Sequence, residues 1–170
     1  MSGAIIFETK RLVLKLVTED DVDHFYVMLS DPTTMKYYPK TYSRQESLEW
    51  VMGILNDYKT TGFGRWACYL KETGDFVGIC GLKRQLGIDG VDEVEVGYTF
   101  NRNFWNQGLA TEAARATMDY ARKNLGITRL ISLIRPENLP SRRVAEKNGL
   151  TPEKEVMFKY FVHIVYVSPK

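Results

Sequence analysis

The chain is poor in the residues that build metal sites and disulfide frameworks. Its 170 residues hold two cysteines and two histidines. Cys68 and Cys80 sit inside apolar, strand-like runs and read as buried free thiols of a reducing compartment, not as a disulfide or metal pair. His24 and His163 are far apart in sequence and have no cysteine beside them, so no metal is expected. Charge of one sign is also scarce. The 23 basic and 21 acidic residues give a net charge of +2, spread along the chain. A nucleic-acid groove or a polybasic membrane anchor needs a larger surplus. No apolar run reaches membrane length, and none reads as a secretory signal. The expectation is a cytoplasmic protein with neither nucleic acid nor membrane as partner.

What is present suits an ordinary globular protein: 44% hydrophobic and 26% charged residues, enough for a substantial core. Residues 1–170 show no internal repeat, no low-complexity tract and no second domain, so one domain is expected. Residues 5–17 read as one extended strand. Thr18 and Asp21 resemble a capping box for a first helix carrying Val22, Phe25, Tyr26 and Leu29, which Asp31-Pro32 stops. Ser43 and Glu46 form a capping box for a second helix, with Leu48, Trp50, Val51, Ile54, Leu55 and Tyr58 on its apolar stripe. RWACYLKE and DFVGICGLKRQL are strands joined at Thr73-Gly74. RLISLIRP is a short buried strand, and ENLPSRRVAEKNGL a helix ended by Gly149. The tail, EKEVMF with YFVHIVYV, reads as a hairpin whose second half is either an interior strand or an addition to a partner's sheet. The element order, strands first in a meander and then in βαβ form, predicts an α/β mixed sheet with helices on both faces.

The organising stretch is EVEVGYTFNRNFWNQGLATEAARATMDY, residues 93–120. It begins with strand alternation and ends with Ala110, Ala113, Ala114, Thr117 and Met118 at helical spacing. Between lies NRNFWNQG, a polar and aromatic turn ending in Gly108. The first turn of a helix presents N–H groups with no partner inside the helix, and the helix dipole adds positive potential. That is a seat for an anion, most often phosphate. Gly108 allows close approach of the main chain, and Ala110 keeps the next turn small. An ordinary strand–loop–helix connection containing a glycine is the alternative.

These residues resemble the GNAT superfamily of N-acetyltransferases. WNQGLA stands where the family carries its Q/R-x-x-G-x-G/A pyrophosphate loop, with Trp105 at the first position in place of glutamine or arginine. FWNQGLATEA and NLPSRRVAEKNGL are similar to the RimJ/RimL-like branch, which acetylates ribosomal-protein N-termini. EVGY on the preceding strand is a third shared block, and the three span about 60 residues.

The resemblance implies the GNAT acyl-CoA N-acyltransferase fold, a mostly antiparallel sheet splayed at the CoA site. It also implies acetyl-CoA as cosubstrate and an amine as acceptor, either a protein N-terminus or a small molecule. The main-chain amides of Gln107, Gly108, Leu109, Ala110 and Thr111 would hold the diphosphate, beside Trp105 and Asn106. The strand holding Tyr98, Thr99 and Phe100 would pair with the pantetheine arm along its open edge. A main-chain N–H near Gly97 or Tyr98 would polarise the thioester, and Asn138 would bond the pantetheine from the other side. Glu95 is the candidate base, with a solvent-facing position as its alternative, while Glu93 is expected to face solvent. Many family members use a tyrosine on the last helix as acid, but Ala145 stands there, leaving the Ser141 hydroxyl as donor. Ser141 also suits a helix N-cap.

Trp50, Tyr58, Trp66 and Phe104 read as core or lid. Tyr37, Tyr38 and Tyr42 would shape the amine pocket. Arg142, Arg143 and Lys147 either reach the 3′-phosphate of CoA or form a solvated helix face. A covalent acyl-cysteine is rejected, since neither cysteine has a histidine nearby in sequence. The rivals are an acyl-CoA sensor without turnover and a small nucleic-acid-binding domain. No run of carboxylates in the 31–45 loop suggests a polyamine acceptor. Both monomer and homodimer are compatible with the sequence.

Overall fold

The computed structural model describes residues 3–170. In chain order the elements are β1 (Ile5–Glu8), β2 (Leu12–Lys15), α1 (Val22–Leu29), α2 (Arg44–Thr61), β3 (Arg65–Leu70), β4 (Phe76–Ile88), β5 (Val91–Phe100), α3 (Leu109–Leu125), β6 (Ile131–Ile134), α4 (Leu139–Lys147), β7 (Thr151–Phe158) and β8 (Phe161–Val167). The strands form one sheet in the order β1-β2-β3-β4-β5-β6-β8-β7. Every neighbouring pair is antiparallel except β5 and β6.

Helices cover both faces, as the pattern predicts. Leu12, Leu14, Trp66, Cys80, Leu82 and Val96 point to the face packed by Leu109, Ala113 and Met118 of α3. On the other face Val17, Ala67 and Ile79 meet Phe25, Met28 and Leu29 of α1 and Val51 and Ile54 of α2. The alternation of Trp66/Ala67 and Ile79/Cys80 between two cores follows from the period of two along a strand. The capping box of α2 is made: Ser43 Oγ accepts from the Glu46 N–H at 3.1 Å, and the Glu46 carboxylate accepts from the Ser43 N–H at 2.8 Å. Such a cap contributes about 1 kcal/mol.

Three expectations need correction. The strand expected over 5–17 is two, because the chain reverses at Thr9–Arg11 and β2 folds back on β1. Thr9 closes the turn: its N–H donates to the Leu12 carbonyl at 2.9 Å, and its hydroxyl accepts from the Leu12 N–H at 3.0 Å. Thr18 and Asp21 do bond, with the Thr18 N–H donating to the carboxylate at 2.8 Å, but they bracket a 3-10 turn (Glu19–Asp21) ahead of α1. The cap of α4 is Asn138, not Ser141. The Asn138 Oδ1 accepts from the Ser141 N–H at 3.2 Å, and Pro140 lies inside the first turn. The ambiguity in the tail resolves within the chain, since β8 is an interior strand between β6 and β7.

Candidate active site

The sheet opens where its one parallel pair begins. β5 and β6 share a single registered pair, Glu95 with Ile131. Side chains close the vertex: Ser132 Oγ donates to the Val96 carbonyl at 2.7 Å, and the Leu133 N–H donates to Glu95 Oε2 at 3.2 Å. Alternate residues of a strand turn their main-chain groups to the same edge. The Val96 carbonyl is taken by Ser132, and the Phe100 carbonyl accepts from the Trp105 indole N–H at 2.7 Å. The residue between them in that alternation is Tyr98. Its N–H and carbonyl face the gap, which selects Tyr98 over Gly97 as the main-chain group available to a ligand.

The gap runs to the N-terminus of α3. Gly108 is the N-cap with φ of +77°, a left-handed conformation that costs other residues, and glycine has no side chain to satisfy the first turn. The amides of Leu109, Ala110 and Thr111 are therefore open to a ligand. Trp105 anchors the entry to this turn through its indole. Arg11 anchors the exit: its Nη1 donates to the Gln107 carbonyl at 2.7 Å and its Nε pairs with Glu112 at 2.7 Å. The Thr9 hydroxyl donates to the same carboxylate at 2.7 Å. This clamp between the first hairpin and α3 was not foreseen, and no local pattern around Arg11 announces it.

Gap and helix end lie in one cavity of about 540 Å³. Of the predicted residues, Glu95, Tyr98, Thr99, Phe100, Trp105, Asn106, Gly108 to Thr111, Asn138 and Ser141 all line it. Gln107 does not, its carbonyl being turned to Arg11. Arg143 and Lys147 line the cavity at the α3 end, where Asn148 bonds the Thr111 carbonyl at 3.3 Å. Arg142 is committed elsewhere, to the Tyr166 hydroxyl at 3.0 Å and the Pro136 carbonyl at 2.9 Å. Tyr37, Tyr38 and Tyr42 line the opposite end, with the Tyr38 hydroxyl bonded to Thr99. Trp66 is core; Tyr58 is half-buried with its hydroxyl on the Arg65 carbonyl; Trp50 and Phe104 also line the cavity.

Neither glutamate faces solvent. Glu93 is 7% exposed and bound by Arg129 at 2.8 Å; Glu95 is 6% exposed. Glu95 Oε1 accepts from Arg65 Nη2 at 3.1 Å and Gln85 Nε2 at 2.9 Å, while Oε2 holds the Leu133 N–H. A carboxylate offers about four lone-pair sites, so one remains for a water or an amine. Arg65 comes from β3, remote in sequence. It explains Gly97: a methyl group there would lie 2.5 Å from Arg65 Nη2 and 3.0 Å from its central carbon. Gly97→Ala should push the guanidinium off Glu95, losing about 1.5–3 kcal/mol of charged hydrogen bonding. At about 2–4 °C per kcal/mol, thermal melting would show it as a clear drop in Tm; an unchanged Tm would contradict this packing.

Ser141 lines the cavity, and its carbonyl accepts from the Tyr98 hydroxyl at 3.0 Å. Burial drives the Tyr98 phenol far above its ordinary value, keeping it protonated and fixed as that donor. Burial likewise pushes Cys80 up to about 12 and Cys68 well above the usual thiol range. Both thiols are fully buried, and neither lines the cavity.

A splayed sheet beside an uncapped helix end has the shape to receive an extended, diphosphate-bearing ligand. The acetyltransferase (GNAT) domain model matches residues 11–151. The chain belongs to that family of N-acetyltransferases. The N-acetyltransferase p20 of Bacillus licheniformis is 30% identical over 153 residues, covering 89% of this chain and 84% of p20. The structure of a GNAT-family acetyltransferase from Bacillus anthracis is 26% identical, with a TM-score of 0.80 over 98% of this chain and 97% of that one. RimL, a ribosomal L7/L12 N-terminal acetyltransferase solved with coenzyme A, shares the fold with a TM-score of 0.74 at 20% identity over 96% of each chain. Among the described residues, no helix is long and apolar enough to cross a membrane, and no cluster of metal-ligating side chains is found.

Proposed function

We propose that residues 1–170 work as one cytoplasmic acetyltransferase domain that moves the acetyl group of acetyl-CoA directly to a primary amine. The observation that carries this reading is the single-pair vertex of β5 and β6, opening into the same cavity as the uncapped first turn of α3. The open amides and the small Ala110 fit a diphosphate; Arg143 and Lys147 fit the more distal phosphate. The Tyr98 main chain and the Asn138 side chain flank the space for the pantetheine amides. The Tyr98 N–H donates to the thioester oxygen as charge develops, a contact worth about 2.7–4 kcal/mol. An alkyl ammonium must lose a proton before attack. The free lone pair of Glu95 accepts it, directly or through water, and the Ser141 hydroxyl donates to the departing thiolate.

With both thiols buried and outside the cavity, neither cysteine serves as a covalent acyl carrier. Two-substrate initial rates should therefore give intersecting lines; parallel lines would refute direct transfer. Ser141→Ala should lower kcat by about 10- to 100-fold, the value of one hydrogen bond to a charged group, while CoA affinity holds. Wild-type kcat in that variant would remove Ser141 from the chemistry.

A further inference from the structure

The cavity is unevenly charged. Lys36, Arg65, Arg135, Arg143, Lys147 and Lys159 line it, and Glu95 is the only carboxylate among its lining residues. Arg143 and Lys147 stand at the α3 end, where the phosphates of the cosubstrate are accounted for. Arg65, Arg135 and Lys159 stand away from it, around Glu95 and the tyrosine loop, and no cosubstrate phosphate accounts for them.

Two of these cations are also incompletely satisfied. Among the described residues, the buried side-chain nitrogens or oxygens without a hydrogen-bond partner are Arg65 Nε and Arg135 Nε. A buried donor left unpaired is costly to the fold. Arg135 sits at the end of β6, held by the Tyr37 carbonyl at 3.1 Å and by Glu137, with its guanidinium 3.9 Å from the Phe161 ring centroid. Arg65 spends Nη2 on Glu95. Lys159 projects from the β7–β8 turn in a left-handed conformation, with φ of 45°. Desolvation, and then the positive charge of Arg65, lower its pKa, against the opposing pull of Glu95. These three cations come from three separate parts of the chain and converge on the end of the cavity where the amine must enter. A polycationic acceptor would meet repulsion there. An acceptor bearing an anion would meet complementary charge there.

We propose that the acceptor is an amine that also carries a carboxylate, which Arg65, Arg135 and Lys159 hold while the amine lies at Glu95. This rests on the acetyltransferase reading above. The carboxylate belongs either to a free amino acid or to the acidic first residue of a peptide; both present an amine and a carboxylate a few bonds apart.

The test compares acetylation of matched pairs by the full chain: amino acids against their carboxamides, and peptides beginning with Asp against those beginning with Asn. Spermidine serves as the cationic comparison. The carboxylated member of at least one pair is expected to have kcat/KM at least 10-fold higher than its neutral partner, and spermidine to fall below both. The pair showing the preference identifies the source of the carboxylate. Lys159→Gln, on a surface turn, and Arg135→Gln should shrink that ratio by raising KM for the carboxylated acceptor more than they lower kcat. Equal rates within each pair, with thiol still released, would overturn this inference and leave the acetyltransferase reading intact. No release with any amine would overturn both.

Discussion

Glu95→Ala is expected to reduce turnover by about 100- to 10,000-fold, the usual contribution of a positioned base. It should also destabilise the fold by about 3–5 kcal/mol, because Arg65 is left buried without its partner. The second effect follows from position. Glu95 stands in the one registered pair of β5 with β6 and holds the Leu133 N–H, so the carboxylate proposed as the base also pins the vertex of the splay. Two further variants separate the roles. Glu95→Gln keeps an acceptor for Arg65 but places an NH2 group against one of its three donors, so it should retain more stability than alanine yet regain little activity. Replacing Arg65 and Glu95 together by methionine removes the uncompensated charge and should recover part of the stability, as buried pairs exchanged for apolar residues often do. Denaturant unfolding and single-turnover rates read the two effects apart. Turnover that recovers in step with stability would show that Glu95 only shapes the site.

Gly108→Val should raise the Kd for CoA by about 10- to 1,000-fold. A β-branched residue is a genuine outlier at φ of +77°, and the strain of about 1–3 kcal/mol is relieved by turning the peptide away from that conformation. The amides of Leu109 to Thr111 then lose their common aim, and each charged hydrogen bond forfeited is worth about 1.5–3 kcal/mol, or about 10- to 100-fold in affinity. Space is the smaller matter: the nearest atom to an added Cβ is Arg11 Nη2, 3.4 Å away at the tip of a flexible side chain. Gly108→Asn should accordingly be much milder, because asparagine tolerates the left-handed region. Calorimetric titration with CoA checks the series. Val and Asn variants with the same affinity would show that the dihedral angle is not what Gly108 provides.

The parts of this molecule legible in its sequence are those specified within a few residues. The Ser43–Glu46 box, the turn ending in Gly108, the helix after it and the closing hairpin all carry local signatures, and each formed where its signature stands. The reversal at Thr9 was illegible because a threonine hydroxyl does there what turn residues normally do. At α4, Ser141 is a residue type that suits a cap, while the cap sits three residues earlier at Asn138. The charge network escaped for a different reason. Arg65, Gln85 and Leu133 reach Glu95 from three strands, and only the assembled sheet shows that this carboxylate is buried and triply bonded. The family resemblance named most of the residues that line the cavity; the partners that hold them in shape are long-range and came from the fold.

The most direct test of the central claim titrates acetyl-CoA into the wild-type protein by calorimetry and follows free thiol when pooled primary amines are added. The structure predicts saturable binding, followed by thiol release that depends on amine and needs no metal added. Binding without release from any pool would make the cleft a sensor of acyl-CoA, and failure to bind acetyl-CoA would contradict the account from the vertex of the sheet onward.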